Sequence, residues 1–167
     1  MNITFPDGSV KQYEDGMTAL QIAESISPRL RKATLAAEID GSRADAFRPI
    51  AGDHSIKLLT WEDEDGRWTM RHTAAHILAQ AVKRVHPEAK LAIGPAIDEG
   101  WYYDFDAPFT FTPEHLAKIE AEMKKVCKER LPIVRSEKPR AEAIAYMQEK
   151  NEPYKVELIN DLPEDAV

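Results

Sequence analysis

Alternating apolar and polar positions mark the start of the chain as a β-hairpin. Residues 2–6 and 9–13 both alternate in this way, as strands with one buried face do. Asp7 and Gly8 lie between the two stretches, and an Asp-Gly pair favours the tight turn that joins two antiparallel strands. The pattern therefore predicts a hairpin over residues 2–13.

A helix and two more strands follow this hairpin. Thr18 is a suitable N-cap, and apolar residues recur after it at helical spacing until Pro28, which ends the helix. Residues 35–39 and 55–59 predict the two strands. Hairpin, helix, strand and strand in this order indicate a small β-grasp, ubiquitin-like sheet with one helix across it, over residues 1–61. Because it has no clustered catalytic side chains, we interpret this domain as a compact adaptor.

The pattern then changes, and we expect a second domain over residues 62–167. The acidic stretch 62–68 is typical of a linker or of the lead-in to a helix. Apolar residues at helical spacing from Met70 to Val85 predict a long helix, which Pro87 closes.

Two further helices and three strands complete the prediction for the second domain. Thr112 caps one helix, whose apolar stripe includes Leu116 and also carries Cys127. The other helix covers residues 140–150. Short stretches rich in aromatic and β-branched residues predict the strands, at residues 101–105, 132–135 and 154–159. The fold class is therefore α+β.

Composition narrows the classes of protein to which the chain can belong. Its 167 residues are 43% hydrophobic and 31% charged, which is typical of a globular protein. No apolar run approaches the roughly 20 residues that span a bilayer, no signal peptide is visible, and we expect a cytoplasmic location. One cysteine excludes an internal disulfide framework. The net charge of −7 argues against broad, non-specific adhesion to nucleic acid, although it permits a local RNA contact.

Two histidines offer the strongest candidate chemistry. His72 and His76 are four residues apart in the predicted long helix, so they share one face. They could be core-edge histidines without a task, half of a metal site, or a metal-free acid–base pair. A zinc site needs further ligands, and the zincin pattern requires Glu where Thr73 stands. Spacing alone leaves the three interpretations open.

Two more segments could line a pocket near such a helix. Ile93, Gly94 and Pro95 predict a sharp turn, and a glycine there lets the backbone approach a ligand closely. In the strand predicted after it, Tyr103 lies on the same face as the tryptophan two residues earlier. Lys155 falls in a predicted strand, where a lysine by itself is typical of a solvated edge.

Taken together, these segments resemble the N-terminal region of bacterial threonyl-tRNA synthetases. The resemblance rests on MRHTAAHIL at residues 70–78, AIGPAIDEGWYYDFD at 92–106 and EPYKV at 152–156. The β-grasp order and ITFPDGS at residues 3–9 are similar to the TGS domain of that family. The paired-histidine helix is shared with alanyl-tRNA synthetase editing domains, but the TGS-like start favours the threonyl family.

The resemblance implies a dimeric class II ligase that attaches threonine to its tRNA with ATP. Its aminoacylation core, with the ATP, Mg²⁺ and Zn²⁺ it uses, would lie beyond residue 167, so no cofactor is expected in this region. The implied partners are threonine-accepting tRNA and the remainder of the synthetase chain, with no membrane. The second domain would belong to an editing site that hydrolyses serine mistakenly attached to threonine tRNA, because one missing methyl group gives weak discrimination.

The resemblance also assigns roles to particular residues. His72 and His76 would position the hydrolytic water and the terminal ribose, and Lys155 would hold the water or polarise the ester. The substrate-binding residues would be Gly94, Pro95 and Tyr103. No metal ligand is expected.

One departure from the family pattern limits these expectations. The family's editing domain continues with a Cys-x-x-x-His segment, which this chain does not contain; Cys127 is followed by Lys-Glu-Arg-Leu. We therefore expect a truncated editing domain that cannot aminoacylate and edits poorly or not at all. The alternatives are a non-catalytic module that binds tRNA or a partner, and a zinc-dependent hydrolase related to alanyl-type editing domains.

Overall fold

The chain folds into two units, described by a computed structural model that covers residues 1–167. The first unit is Met1–Arg71 and the second is His72–Val167. The division falls inside one long helix, ten residues after the boundary expected from the sequence pattern, and that expected boundary stays a prediction. No helix in the structure is long and apolar enough to cross a membrane.

The first unit is a five-stranded mixed sheet with one face covered by helix. Its strands are β1 (Asn2–Thr4), β2 (Val10–Gln12), β3 (Ala36–Ile39), β4 (Ser42–Ala44) and β5 (His54–Leu59). The strand order is β2-β1-β5-β3-β4, with β1 and β5 parallel and every other pair antiparallel. This order confirms the β-grasp prediction. Strand β4, which the sequence pattern did not predict, returns beside β3 after a turn in which Asp40 and Gly41 both have positive φ.

Two helices, α1 (Ala19–Ile26) and α2 (Pro28–Ala33), connect the hairpin to β3. Thr18 caps α1 as predicted: its hydroxyl accepts from Gln21 N at 3.3 Å, and Gln21 Oε1 accepts from Thr18 N at 2.8 Å. Pro28 ends α1 and also begins α2, because a proline fits the first turn of a helix. Helix and sheet bury a common apolar core: Ile3, Ala19, Ile22, Ala37, Ile50 and Ile56.

The long helix α3 (Glu64–Val85) starts six residues earlier than the Met70 start predicted from apolar spacing. The acidic stretch is therefore mainly helix rather than linker, and its two acidic side chains in the first turn suit the positive end of the helix dipole. Asp63 fixes this start, since its carboxylate accepts from Thr60 N at 2.9 Å and pairs with Lys57 at 2.8 Å. Arg43 stacks on Trp68, with its guanidinium carbon 4.1 Å from the ring centroid.

The second unit combines the rest of α3 with short strands and three more helices. The strands are β6 (Lys90–Leu91), β7 (Ala96–Ile97), β8 (Gly100–Trp101) and β9 (Phe105–Asp106). The helices are α4 (Pro113–Glu129), α5 (Arg140–Glu149) and α6 (Pro153–Asn160). Thr112 caps α4 as predicted, and Ala81, Val82, Ala89 and Ile119 form the buried core.

Three strand predictions for the second unit need correction. Residues 132–135 form no strand, because no neighbouring segment pairs with them. Residues 154–159 are helical in α6; Pro153 occupies the first turn, and tertiary contacts override the β-preference of the aromatic and branched side chains. Residues 101–105 divide into β8 and β9. On α4, both Leu116 and Cys127 are exposed rather than part of the apolar face.

A histidine contact makes the stability of the β-grasp unit depend on pH. His54 Nδ1 lies 2.6 Å from Asp40 Oδ2, and His54 Nε2 lies 3.0 Å from the Ala51 carbonyl oxygen. Both partners accept hydrogen bonds, so the doubly protonated ring satisfies both. These bonds raise the pKa of His54 above its ordinary 6.5, and the bond from His54 contributes most to lowering the pKa of Asp40.

We predict that His54→Gln destabilises the β-grasp unit more at pH 6 than at pH 8.5. A raised folded-state pKa gives a contribution that is complete below the unfolded-state pKa and is lost as pH rises through the folded-state value. Urea unfolding followed by the NMR signals of Ile3 and Ile56 measures the difference in free energy. The Asp40→Asn variant should lose the same pH dependence, and an equal effect of His54→Gln at both pH values would contradict the assignment.

Candidate functional site

The two histidines of α3 contact each other directly. His72 Nε2 lies 3.1 Å from His76 Nε2, and the ring centroids are 4.7 Å apart with the planes tilted by 44°. At this distance one nitrogen donates and the other accepts, so the two facing nitrogens share a single proton. The four-residue spacing on one helix produces the contact, as expected from the sequence.

The surroundings of His76 favour its neutral form. Its pKa is lowered first by desolvation and then by the charges of His72 and Lys155. His76 nevertheless keeps part of its surface accessible to solvent. An imidazole that is accessible and mostly neutral near pH 7 can accept a proton from water, which is the first requirement for a general base.

A β-bulge sets the backbone geometry around Gly94, Tyr103 and the Lys155 ammonium group. The register pairs Leu91 with Phe105 and Ala96 with Trp101, so four residues, 92–95, face three, 102–104. One strand therefore contains an extra residue. A sharp turn was predicted at Gly94 and Pro95, but the structure places the turn at residues 98–99. Gly94 and Pro95 instead belong to the bulged segment, residues 92–95.

The bulge leaves one carbonyl group available to Lys155. Asp104 N donates to Ile93 O at 2.7 Å, while Ala92 N donates to Asp104 O at 3.0 Å. Since Asp104 N is directed to Ile93, Ala92 O can accept from Lys155 Nζ, at 2.9 Å. The lysine predicted at a strand edge thus lies in the first turn of α6, with its ammonium group anchored to the bulge and 5.9 Å from the centroid of the Tyr103 ring.

Gly94 is required by a close contact within the protein. A Cβ atom on Gly94 would lie 2.1 Å from Cδ2 of Tyr103. The tyrosine ring therefore packs on the glycine backbone, and it also stacks on Phe105 with centroids 4.9 Å apart. Burial and the charge of Glu152 raise the pKa of Tyr103, so its phenol stays protonated. Pro95 lies next to Gly94 in the bulged strand and is half-buried.

The structure places the predicted site residues in two contact groups, one formed by His72 and His76 and the other by Lys155, Tyr103 and Gly94. His72 contacts His76, Lys155 influences His76 electrostatically, and Tyr103 connects Lys155 to Gly94. Their roles in binding or chemistry stay predictions.

Sequence reasoning missed two residues that support this arrangement, Lys83 and Glu152. Their side chains form an ion pair with Nζ and Oε1 2.9 Å apart, and Glu152 is only 7% exposed. Glu152 belongs to the EPYKV segment, which the sequence analysis had already singled out. In the structure its carboxylate is buried, and a buried carboxylate requires a partner. Lys83 has no such signal, because cations are common in the last turn of a helix.

His76 also borders a groove of about 340 Å³ between α3 and α4. The groove has a mainly apolar lining and includes Gln80, Cys127 and Arg130. In the whole structure no group of three or more His, Cys, Asp or Glu side chains is arranged to hold a metal ion. The side chains around the histidine pair therefore do not fit a metal ion.

Comparison with known proteins finds two kinds of match. Residues 1–60, which form the β-grasp sheet and its helices, match the TGS domain family. The whole chain is 58% identical to the threonine–tRNA ligase of Clostridium acetobutylicum over 167 residues. It is 59% identical to the threonine–tRNA ligases of Clostridium botulinum strains Loch Maree and Kyoto. The chain spans 26% of the length of each relative, and it is homologous to the N-terminal region of threonine–tRNA ligases.

We predict that Gly94→Ala displaces the Tyr103 ring and destabilises the second unit by about 1–3 kcal/mol, the usual cost of overpacking. Gly100→Ala is the matched control, because nothing lies within 4 Å of a Cβ atom built there. Chemical denaturation and the NMR shifts of the Tyr103 ring measure the two effects. Equal stability of the two variants would show that the ring does not pack on Gly94.

We predict that Lys155→Met raises the pKa of His76 toward 6.5, because it removes a nearby positive charge. The pKa is read from the NMR titration of the imidazole nitrogens in the 167-residue chain. Lys124→Met, on the exposed face of α4, removes a lysine paired only with Glu120 and should leave this pKa unchanged. An unchanged pKa in Lys155→Met would place the lysine away from the histidine pair.

Proposed function

We propose that the second unit contributes to a hydrolytic site that removes serine wrongly attached to threonine tRNA. The ligase containing it would attach threonine to this tRNA with ATP. The relatives named threonine–tRNA ligase support the class of substrate. The observation that carries the hydrolytic role is the histidine pair, whose facing nitrogens are 3.1 Å apart; desolvation, then the charges of His72 and Lys155, lower the pKa of His76.

The proposed chemistry is the hydrolysis of an ester by water. The water oxygen forms a bond to the carbonyl carbon of the seryl ester, and its proton passes to the histidine pair. The Lys155 ammonium group stabilises the negative charge that develops on the carbonyl oxygen. The bond from this carbon to the ribose oxygen then breaks, and the histidine pair returns the proton to the ribose oxygen. Free serine and intact tRNA are the products.

Editing of this kind follows from the limits of binding energy. A single methyl or methylene group in a pocket provides about 1–3 kcal/mol of discrimination, so serine is charged at an appreciable rate. A second site that accepts serine but is too small for the threonine methyl group would remove the error. In this proposal Gly94, Pro95 and Tyr103 form the side of the pocket that receives the substrate.

The other properties of the ligase are proposed for the longer protein and not for these residues. They include aminoacylation, a homodimer, and the use of Mg²⁺ and Zn²⁺ in the aminoacylation core. The tRNA is the proposed partner of the second unit. The 167 residues do not include the Cys-x-x-x-His segment of the family that they resemble. We therefore expect them, in isolation, to hydrolyse mischarged tRNA slowly or not at all.

We predict that His76→Ala, in the full-length ligase carrying this region, slows hydrolysis of Ser-tRNA by about 10²-fold or more, the usual contribution of a general base. Accumulation of labelled Ser-tRNA measures hydrolysis, and charging with threonine should stay unchanged. Lys124→Met serves as the control for surface substitution. Hydrolysis at the unaltered rate would contradict the proposal and favour a non-catalytic binding module. Loss of hydrolysis of pre-formed Ser-tRNA on addition of a zinc chelator, in an assay that needs no charging, would favour a zinc hydrolase.

A further inference from the structure

The ion pair between Lys83 and Glu152 lies at the end of α3 that follows the histidines. Lys83 Nζ is 2.9 Å from Glu152 Oε1, and it also donates to Pro87 O at 3.1 Å and Ala89 O at 3.0 Å. The three ammonium protons therefore all have acceptors. The lysine fixes the chain just after α3 while holding the carboxylate of a residue 69 positions later in the sequence.

Glu152 connects this helix end to two other elements. Its second carboxylate oxygen accepts from Leu91 N in β6 at 3.3 Å. Its carbonyl oxygen accepts from Lys155 N and Val156 N, both at 3.2 Å, and so begins α6. Its own N–H donates to Met147 O of α5 at 3.0 Å. One buried residue thus sets the position of the first turn of α6 relative to β6.

Lys155 contacts the backbone one residue after the position in β6 that Glu152 contacts. Glu152 contacts Leu91 N, and Lys155 Nζ contacts the carbonyl of the next residue, Ala92. The start of α6 is therefore fixed to two consecutive backbone groups. The contact of Glu152 with Leu91 N positions the start of α6, and the contact of Lys155 Nζ with Ala92 O positions the ammonium group.

Stability alone does not account for a buried ion pair of this kind. Glu152 is buried while the Lys83 side chain stays 27% exposed; removing a carboxylate from water is costly, and apolar residues of similar volume often stabilise a fold as well or better. The pair does, however, fix how the end of α3, the strand β6 and the start of α6 are placed relative to one another. We propose that Glu152, held by Lys83, is a positioning residue that fixes the Lys155 ammonium group at the Ala92 carbonyl and the Tyr103 ring, from where its charge acts on His76. Its relevance to hydrolysis rests on the proposed function.

The test is the pKa of His76, measured by NMR in the 167-residue chain. Glu152→Gln keeps the shape of the side chain but loses the ion pair and one of the two acceptor oxygens, so it cannot accept from both Lys83 and Leu91 N. If Lys155 loses its position, the pKa of His76 rises toward 6.5, as in Lys155→Met, and the double variant rises no further. The direct effect of removing a negative charge has the opposite sign, because it would lower this pKa.

Two more variants make the result decisive. Glu122→Gln is the matched control, since Glu122 is a largely buried carboxylate paired with Arg84 of α3, and it should leave the pKa unchanged. Lys83→Met combined with Glu152→Met keeps an apolar pair of similar volume and should still raise the pKa. A lower melting temperature with an unchanged His76 pKa in both Glu152 variants would assign the pair a structural role only and overturn the proposal.

The same variants separate this inference from the proposed function. If Glu152→Gln and Lys155→Met both raise the His76 pKa but leave Ser-tRNA hydrolysis by the full-length ligase unaltered, the positioning role stands and the hydrolytic role fails. If Lys155→Met slows hydrolysis while Glu152→Gln changes neither the pKa nor the rate, the hydrolytic role stands and the positioning role fails.

Discussion

The contact between the buried carboxylate of Glu152 and Lys83 is the constraint that places the Lys155 side of the candidate site. It joins the end of α3, the strand β6 and the start of α6 through one carboxylate. These three elements come from distant parts of the sequence, and each carries or adjoins a residue of the site. A buried ion pair adds little net stability, but leaving either charge unpaired is strongly unfavourable. The contact therefore permits one arrangement of the elements and penalises others.

The β-bulge determines which backbone group holds the Lys155 ammonium group. A regular antiparallel pair would use the Ala92 carbonyl within the ladder. The extra residue instead directs the Asp104 amide to Ile93 and leaves the Ala92 carbonyl to the lysine ammonium group. Desolvation, then the charge of His72 and this positive charge, favour the neutral form of His76. The bulge thus holds a lysine whose charge adds to the effects of desolvation and of His72, which together lower the pKa of His76.

Much of the fold follows from local sequence rules. The features that were predicted wrongly depend on contacts between residues far apart or on packing that the sequence pattern does not show. The β-grasp order was predictable because the hairpin turn, the Thr18 cap and Pro28 are strong short-range signals. The histidine contact was predictable from helical spacing alone. The segment with Lys155 was wrongly predicted as a strand, because its helix is fixed by Glu152, whose partners are more than 60 residues away in sequence. Gly94 was correctly singled out, but for a turn rather than for its contact with Tyr103.

The central claim is that the histidine pair and Lys155 form one side of a site for a seryl ester of tRNA. The most direct measurement is a crystal structure of the full-length ligase carrying this region, with a seryl-adenosine analogue in which an amide replaces the ester. We expect the amide carbonyl within hydrogen-bonding distance of the Lys155 ammonium group, with an ordered water between it and His76. Binding of the analogue away from both side chains would contradict the account.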